Sequence, residues 1–349
     1  MIPIDYYISY ASELLTKIIS IPAESFLEKE RADYLFSYLS KQESVFPERY
    51  GNNIIVKHIK ADKPTLMLCA HIDTVPPANG YSFDPINPPI DEMRILGLGS
   101  NDDGASVVSM IAVFCYFVQN NIDLPFNIIL ALSCEEERSG QGGMKSINKM
   151  VEAIADFAIV GEPTCMKAAI AEKGLLVIDG VCSGKSAHCA HWEQGDNALY
   201  KAVDAISAIK ALPIENLNIT QIHAGSSHNV IPDICNFVID IRTTGELSNE
   251  DILTTIQNAA PNCTCSARNM ANHASAIAID HPLVITAKSL NIETYISPTT
   301  SDWMRISIPA IKMGPGDSDR SHKADEFVYK NELAEGINTY IKFISHIQL

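Results

Sequence analysis

The sequence lacks the features of a nucleic-acid-binding or membrane protein. Its 349 residues include 26 Lys and Arg against 42 Asp and Glu, a formal net charge of −16, whereas nucleic acids and anionic lipid surfaces recruit basic side chains. No apolar run reaches the roughly 20 residues that a membrane-spanning helix requires. The first 20 residues include acidic positions and lack the basic start and unbroken apolar stretch of a signal peptide. We therefore predict neither a nucleic-acid nor a membrane partner.

Closely spaced cysteine pairs are also absent. The nine cysteines are scattered and no Cys-x-x-Cys occurs. Several lie in apolar runs, where a thiol packs as a small hydrophobic group. This pattern argues against a structural thiolate metal site, and we expect a reduced, cytoplasmic protein.

The order of apolar segments predicts an α/β architecture with a mostly parallel central sheet. Helical spacing and near-continuous apolar strands alternate along the first half of the chain. Strands that alternate with helices and are apolar throughout are typical of a parallel sheet buried on both faces. The predicted helices cover residues 6–20, 28–42 and 105–120, and the predicted strands cover 64–72, 126–134 and 156–161.

The pattern changes after residue 172. The segments 173–184, 216–227 and 234–245 alternate apolar and polar residues, as strands with one solvated face do, and two helical patterns lie between and after them. We predict that residues 173–280 form a small α+β domain. It is inserted into a larger catalytic domain that is built from residues 1–172 and 281–349.

Acidic and imidazole side chains follow successive strands of the predicted large domain. In an open α/β sheet, ligands bind outside the carboxyl ends of the strands, so these side chains are expected at one rim. Crowded carboxylates repel one another unless a cation offsets their charge. The groups are His71 and Asp73, Asp102 and Asp103, Glu135, Glu136 and Glu137, Glu162, and, late in the chain, His322.

Each of these groups has a simpler interpretation when it is taken alone. A His-x-Asp pair is commonly a turn, NDDG is a good helix N-cap, EEE is commonly a solvated acidic patch and GEP is a turn. The conjunction favours a metal site. Imidazoles and carboxylates suit zinc, cobalt or manganese, and the excess of carboxylates predicts two ions roughly 3.5–4 Å apart. A glutamate beside a ligand can serve as general base, so the chemistry indicated is metal-assisted hydrolysis.

The ordered motifs HIDTVP, GLGSNDDG, LSCEEE, GEPT and SHKADEF resemble those of the zinc-dependent M20 peptidase and deacylase family, over nearly the whole chain. The resemblance implies a zinc-exopeptidase-like catalytic domain, an inserted ferredoxin-like lid and dimerisation domain, and a homodimer. It implies Asp73 as the residue that orients His71, and Glu136 as the general base. One ion would be held by His71 and Glu162, the other by Glu137 and His322, with Asp102 shared.

The resemblance also implies residues that contact substrate. The segment GKSAHCAHW resembles the one that carries a carbonyl-polarising lid histidine, here His188. HNVIPD and DIR imply substrate contacts by Asn229 and Arg242, and MGPGDS implies a substrate loop at Gly314. Without the family, His188 is a surface residue, and Arg242 is as well explained by a salt bridge. Arg320, which follows that loop, either contacts an acidic acyl group or is a surface residue.

Three departures from the family pattern leave alternatives open. Asp103 follows Asp102 directly and is expected as a helix N-cap. Its presence leaves open which of the two aspartates bridges the ions. The triple glutamate allows a one-residue slip that moves base and ligand to Glu135 and Glu136. A proline common after the lid histidine is absent, and His191 follows closely instead.

The expected substrate is a small N-acyl amino acid. The compact length and the segments GLGSNDDGAS and GPGDSDRSH look closest to acetylornithine deacetylase-like members, which act in arginine or lysine biosynthesis. We expect removal of an acetyl or succinyl group from a substrate such as N-acyl-ornithine. A di- or tripeptidase with the same metal centre is the first alternative, and a non-catalytic metal-binding protein on the same scaffold is the second.

Overall fold

The computed structural model describes residues 1–60 and 62–349. The chain forms two compact units. Unit 1 consists of Met1–Ala171, Ala276–Ile296 and Ser301–Leu349, and unit 2 consists of Glu172–Ser275 and Ser297–Thr300.

The helices, in chain order, are α1 (Ile4–Ile19), α2 (Lys29–Leu39), α3 (Gly104–Gln119), α4 (Met144–Glu152), α5 (Ala198–Lys210), α6 (Asn249–Ala259), α7 (Pro282–Ser289) and α8 (Lys330–His346). Among the described residues, no helix has both the length and the apolarity needed to cross a membrane.

The strands are β1 (Pro47–Tyr50), β2 (Asn53–His58), β3 (Thr65–His71), β4 (Arg94–Leu96), β5 (Asn127–Ser133), β6 (Phe157–Val160), β7 (Ala168–Glu172), β8 (Gly174–Ser183), β9 (Ala187–His188), β10 (Leu217–Ala224), β11 (Val230–Ile231), β12 (Ile234–Thr243), β13 (Cys263–Ala267), β14 (Ser275–Ala276), β15 (Thr294–Ser297), β16 (Ala310–Lys312) and β17 (Phe327–Tyr329).

The large sheet is parallel at its centre and antiparallel towards its edges. Its strand order is β1-β2-β5-β3-β6-β16-β7-β14, and β15 pairs with β7 as the ninth strand. The pairs β5–β3, β3–β6 and β6–β16 are parallel, whereas β1–β2, β2–β5 and β16–β7 are antiparallel. The predicted α/β class with a parallel sheet centre is confirmed, and the antiparallel flanks were not predicted.

The position of strand β3 in the sheet explains why its sequence is apolar throughout. Leu66, Leu68 and Ala70 belong to the core that contains the buried faces of α1, α3 and α8. Met67 and Cys69 belong to the core on the opposite face, together with α4. Successive side chains of a strand point to opposite faces, so a strand covered on both sides buries all of them. The two helical layers therefore fix β3 in the middle of the sheet.

Unit 2 is a four-stranded antiparallel sheet with two helices. Its strand order is β10-β12-β8-β13, and α5 and α6 pack against it. Apart from the short β9–β11 pair, its chain order is βαββαβ. Alternate residues of β12, such as Phe237, Ile239 and Ile241, are buried in its core, which accounts for the alternating pattern of the sequence.

One disulfide corrects the expectation of reduced thiols. Cys182 on β8 lies directly opposite Cys263 on β13, and the two sulfurs are bonded. The prediction is wrong at this pair because 81 residues separate the partners, so only the strand pairing brings them together. The other seven cysteines are free.

Candidate metal centre

The carboxyl ends of β3, β5 and β6 lie side by side because these strands are parallel neighbours. His71 ends β3 and is paired in register with Ser133 at the end of β5. Glu136 and Glu137 follow β5 on a 3-10 turn that ends at Arg138. Glu162 lies two residues beyond the end of β6. The strand ends therefore bring the predicted side chains to one rim of the sheet.

Asp102 lies between two imidazoles, just before α3. Its Oδ1 is 3.2 Å from His71 Nε2, and its Oδ2 is 3.6 Å from His322 Nε2. The same nitrogen of His322 is 3.0 Å from the Glu137 carboxylate. Ligand atoms of His71, Asp102 and Glu137 all lie within 4.8 Å of one another. A carboxylate with one oxygen towards each imidazole has the placement that a bridging ligand requires.

Asp73 holds the histidine and the glutamate turn in one arrangement. His71 Nδ1 is 3.1 Å from the Asp73 carbonyl oxygen and 3.4 Å from its carboxylate. The buried carboxylate also accepts hydrogen bonds from the backbone N–H groups of Glu136 and Glu137, at 3.0 and 3.2 Å. The Ser25 hydroxyl donates to it at 2.6 Å. A partner of this kind fixes the orientation of a metal-binding imidazole. Ser25 was not predicted.

A second buried carboxylate holds the loop that carries Asp102. Glu326 accepts hydrogen bonds from the backbone N–H groups of Gly99, Asn101 and Asp102, at 2.9–3.0 Å. Burial and the neighbouring Asp102 charge together raise its pKa to about 7, against the effect of the hydrogen bonds. Sequence reasoning missed Glu326, although it lies within the SHKADEF motif, four residues after His322.

Burial and mutual repulsion dominate the electrostatics of the remaining acids. Burial raises the pKa of Glu136 well above its ordinary value, and the charges of Asp302 and Glu137 raise it further while His71 lowers it. Burial likewise raises the pKa of Glu162, to which Asp102 contributes. A glutamate with a raised pKa is suited to accept and return a proton near neutral pH.

The position of Glu135 bears on the one-residue slip. Its Oε2 accepts a hydrogen bond from the Gly142 N–H at 2.7 Å. Its backbone adopts a left-handed conformation, with φ 57°. Glu137, and not Glu135, belongs to the group with His71 and Asp102. The geometry therefore favours Glu136 as base and Glu137 as ligand.

Asp103 is placed differently from Asp102. Its Oδ2 accepts a hydrogen bond from the His71 backbone N–H at 3.3 Å. It occupies the N-cap position of α3, yet its side chain makes no capping hydrogen bond. Burial raises its pKa to about 8, whereas the hydrogen bond to His71 helps to hold the pKa of Asp102 below its ordinary value despite burial. An ionised carboxylate is the better cation ligand, which favours Asp102.

The donor set fits two small divalent cations. Acidic groups that are desolvated and that raise one another's pKa lie against two imidazoles at a single rim. Such a cluster is electrostatically unfavourable without protons or cations. Imidazole nitrogens and carboxylate oxygens are ligands that zinc, cobalt and manganese accept. Two ions could be held by His71, Glu162, Glu137 and His322, with Asp102 shared.

The structure brings together two of the three predicted substrate residues of unit 2. His188 Nε2 is 3.5 Å from Asn229 Nδ2, and the Cys189 N–H donates to the Asn229 carbonyl. Arg242 lies near the carboxyl end of β12, roughly 26 Å along the strand from Ile234 at about 3.3 Å per residue. Its guanidinium is paired with Asp240 at 3.0 and 3.3 Å, which matches the salt-bridge alternative.

The two predicted substrate residues of unit 1 have different surroundings. Gly314 lies against the backbone of Glu162, where an added Cβ would collide with the Glu162 carbonyl oxygen. Its N–H donates to Thr164 Oγ1 at 3.0 Å. Arg320 makes a bidentate pair with Glu332, at 2.9 and 2.7 Å. Gly314 therefore permits close approach beside a predicted ligand, whereas the charge of Arg320 is already balanced.

Metal loading is expected to release one proton from each imidazole. The hydrogen bond to Glu137 raises the pKa of His322 to about 9. Burial alone would lower the pKa of His71, but its bonds to Asp102 and Asp73 raise it well above the ordinary value. Both rings are thus protonated at pH 7 without metal, and a cation must displace those protons. Metal affinity should therefore rise with pH up to about 9.

Calorimetric titration of zinc into the chelator-treated protein at pH 7 measures this release, when it is repeated in buffers of different ionisation enthalpy. His322→Ala should release one proton fewer than the unmodified chain. Heats that do not depend on the buffer would contradict the assignment of both imidazoles.

The chain is similar to known proteins over nearly its whole length. The profile of peptidase family M20/M25/M40 matches residues 67–346. A putative succinyl-diaminopimelate desuccinylase from Mycobacterium tuberculosis is 26% identical, over 95% of this chain and 97% of that protein. Acetylornithine deacetylase from Proteus mirabilis is 24% identical, over 81% of this chain and 79% of that protein. The crystal structure of aminopeptidase PepT from Bacillus cereus is similar in fold, with a TM-score of 0.80 and 17% identity. The similarity covers 97% of this chain and 98% of that chain.

Proposed function

The chain belongs to peptidase family M20/M25/M40, and from that premise we propose that it removes an acetyl or succinyl group from an amino acid such as N-acyl-ornithine. At the coarser level, it is a metal-dependent hydrolase that acts on amide bonds. The proposal places the reaction in arginine or lysine biosynthesis.

The placement of Asp102 between His71 and His322 is the observation that carries the hydrolase function. The two imidazoles approach different oxygens of one carboxylate, at 3.2 and 3.6 Å. This is the arrangement expected for two cations held side by side. Bound there, two divalent ions, which we propose to be zinc, would polarise the amide carbonyl and acidify water.

Glu136 is proposed to move the proton. It follows β5 directly beside the ligand candidate Glu137, and the Asp73 carboxylate fixes its backbone N–H. Its raised pKa suits a group that takes a proton from the attacking water and then donates it to the leaving amine nitrogen. Asp73 keeps the His71 ring in one orientation throughout.

His188 is proposed to polarise the substrate carbonyl, and Asn229 is proposed to contact the substrate. Within unit 2, the His188 Nδ1 accepts a hydrogen bond from the Ala190 N–H at 3.1 Å, so Nε2 carries the proton of the neutral ring. A protonated Nε2 can donate to a developing oxyanion. We also propose that unit 2 acts as a lid and that two chains associate through it.

The names of two relatives support the substrate class. The M. tuberculosis and P. mirabilis relatives are named for desuccinylation and deacetylation, and both reactions cleave an N-acyl amino acid. The B. cereus neighbour is named as an aminopeptidase, which supports an M20 di- or tripeptidase as the alternative. The pairing of Arg320 with Glu332 removes one argument for a succinyl group.

Amine release from zinc- and cobalt-reconstituted protein, followed by mass spectrometry, tests the proposal. The panel contains N-acetyl and N-succinyl forms of ornithine, citrulline, lysine and diaminopimelate, together with unblocked dipeptides and tripeptides. We expect cleavage of one N-acyl amino acid and none of the peptides. Cleavage of peptides alone would retain the metal centre and replace the deacylase assignment. A metal-loaded chain that cleaves nothing on the panel would favour a non-catalytic protein.

A further inference from the structure

A second group of ligand-type side chains lies beside the metal centre and has no part in the reaction described above. Glu28, Cys134 and Glu135 each offer one atom, a carboxylate oxygen or the sulfur, and these atoms lie within 4.8 Å of one another. Glu28 immediately precedes α2, and the other two residues follow β5. Two carboxylates and a thiol are thus gathered from two distant parts of unit 1.

Glu28 is the unexplained member of this group. Its side chain is fully buried, and neither carboxylate oxygen has a hydrogen-bond partner among the described residues. Burial of an unpartnered carboxyl costs several kcal/mol in order of magnitude, so native proteins rarely retain one without a ligand, a water or a partner. The ligand-type side chains grouped with it are Cys134 and Glu135.

Each of the other two side chains keeps an atom beside Glu28 that can coordinate a cation. Glu135 uses Oε2 to accept the Gly142 N–H, and within residues 1–60 and 62–349 no hydrogen bond reaches its Oε1. The Cys134 thiol donates weakly to the Gly142 carbonyl, at 3.5 Å. A Cβ at Gly140 or Gly142 would collide with the Glu135 carboxylate, so the glycine loop closes over the group. Glu135 itself is half-buried, which leaves a route for an ion.

We propose that Glu28, Cys134 and Glu135 form a third cation site that binds a thiophilic divalent ion such as Zn²⁺. The sulfur selects zinc over the hard ions magnesium, calcium and manganese. Three protein ligands leave the fourth position of a tetrahedral ion to the backbone or to water. The bound ion offsets the charge of the buried Glu28 carboxylate and of the half-buried Glu135 carboxylate.

The ion would also tie the segment 23–28 to the end of β5. That segment already contacts the residues that follow His71. The Ser25 N–H donates to the Thr74 carbonyl at 3.1 Å, and the Ser25 hydroxyl donates to Asp73. The third site is therefore structural, and it acts on the segment that supports Asp73.

Cobalt absorption distinguishes this site from the metal centre. The metal centre offers only nitrogen and oxygen, so it produces no sulfur-to-cobalt charge-transfer band, whereas a Cys134–Co²⁺ bond does. We expect a near-ultraviolet charge-transfer band in the full chain after cobalt loading. The band should disappear in Cys134→Ser and persist in Cys165→Ser, which removes an exposed free thiol instead.

Zinc content gives a second measurement that does not depend on catalysis. By inductively coupled plasma mass spectrometry we expect three zinc ions per chain, and two in Cys134→Ser and in Glu28→Gln. Absence of the cobalt band, with two zinc ions in the unmodified chain, would overturn the third site. Loss of turnover in the substrate panel with the band intact would count against the proposed function alone. If Cys134→Ser fails to fold, Glu28→Gln, whose near-ultraviolet circular dichroism is checked, decides the question.

Discussion

Glu136→Gln is expected to reduce turnover by about 10²–10⁴-fold while the metal content stays unchanged. The glutamine has the same volume but cannot accept the proton of the attacking water. The backbone N–H of residue 136 still donates to Asp73, so the turn that carries Glu137 should keep its position. The measurement is the turnover number on the best substrate of the panel, with metal content by mass spectrometry.

Glu135→Gln is the matched control, because it makes the same chemical change one residue earlier. Its amide oxygen can still accept the Gly142 N–H. The change removes a ligand of the proposed third site, which is structural, so turnover should remain within several-fold of that of the unmodified chain. Full activity in Glu136→Gln with a large loss in Glu135→Gln would show that the base lies one residue earlier. Metal loss in Glu136→Gln would assign Glu136 as a ligand instead.

The sequence predicts the centre of the sheet well because burial on both faces leaves little choice of residue. Residues 64–72 were predicted as a strand and form β3 (Thr65–His71), and 105–120 were predicted as a helix and form α3 (Gly104–Gln119). The edges of the sheet are different. β7 (Ala168–Glu172) is alanine-rich and β14 has two residues, so neither carries a periodic pattern. The antiparallel direction of β7 depends on its pairing with β16, which lies far along the chain.

Helix α4 could have been predicted and was not. Met144, Ile147 and Val151 are its buried residues, at helical spacing, but the glycines that precede it favour a loop interpretation. The disulfide is a different case. Cys182 and Cys263 carry no local signal, and only the register between β8 and β13 places them opposite each other.

The candidate ligands could be located because each follows a strand end, which the apolar pattern marks. The residues that hold these ligands in position could not be located in that way. Glu326 binds the N–H of Gly99 across 227 residues of sequence, and Ser25 binds Asp73 across 48. Both connections join loops, and no periodic pattern predicts which loops meet. The local signal that was available is an acidic residue inside a motif that already contains a ligand.

Asp102→Asn is expected to remove metal and activity together. The amide group keeps the shape of the carboxylate but loses its charge, and it presents an N–H₂ group to one of the two imidazoles. Loss of an outer partner of a metal ligand typically weakens metal binding by about 10–100-fold, so loss of the shared ligand should exceed the upper end of that range. Metal content after dialysis against limiting chelator, together with turnover, measures the effect.

Asp103→Asn separates the bridging role from the charge of the loop. The Asp103 carboxylate accepts the His71 N–H, and the asparagine oxygen can accept the same bond. Burial raises its pKa to about 8, so before metal binds Asp103 carries little negative charge at pH 7. We therefore expect Asp103→Asn to retain both ions of the metal centre. If Asp103→Asn loses them and Asp102→Asn does not, the bridge belongs to Asp103, and the two imidazoles must approach Asp102 for a reason other than a shared ion.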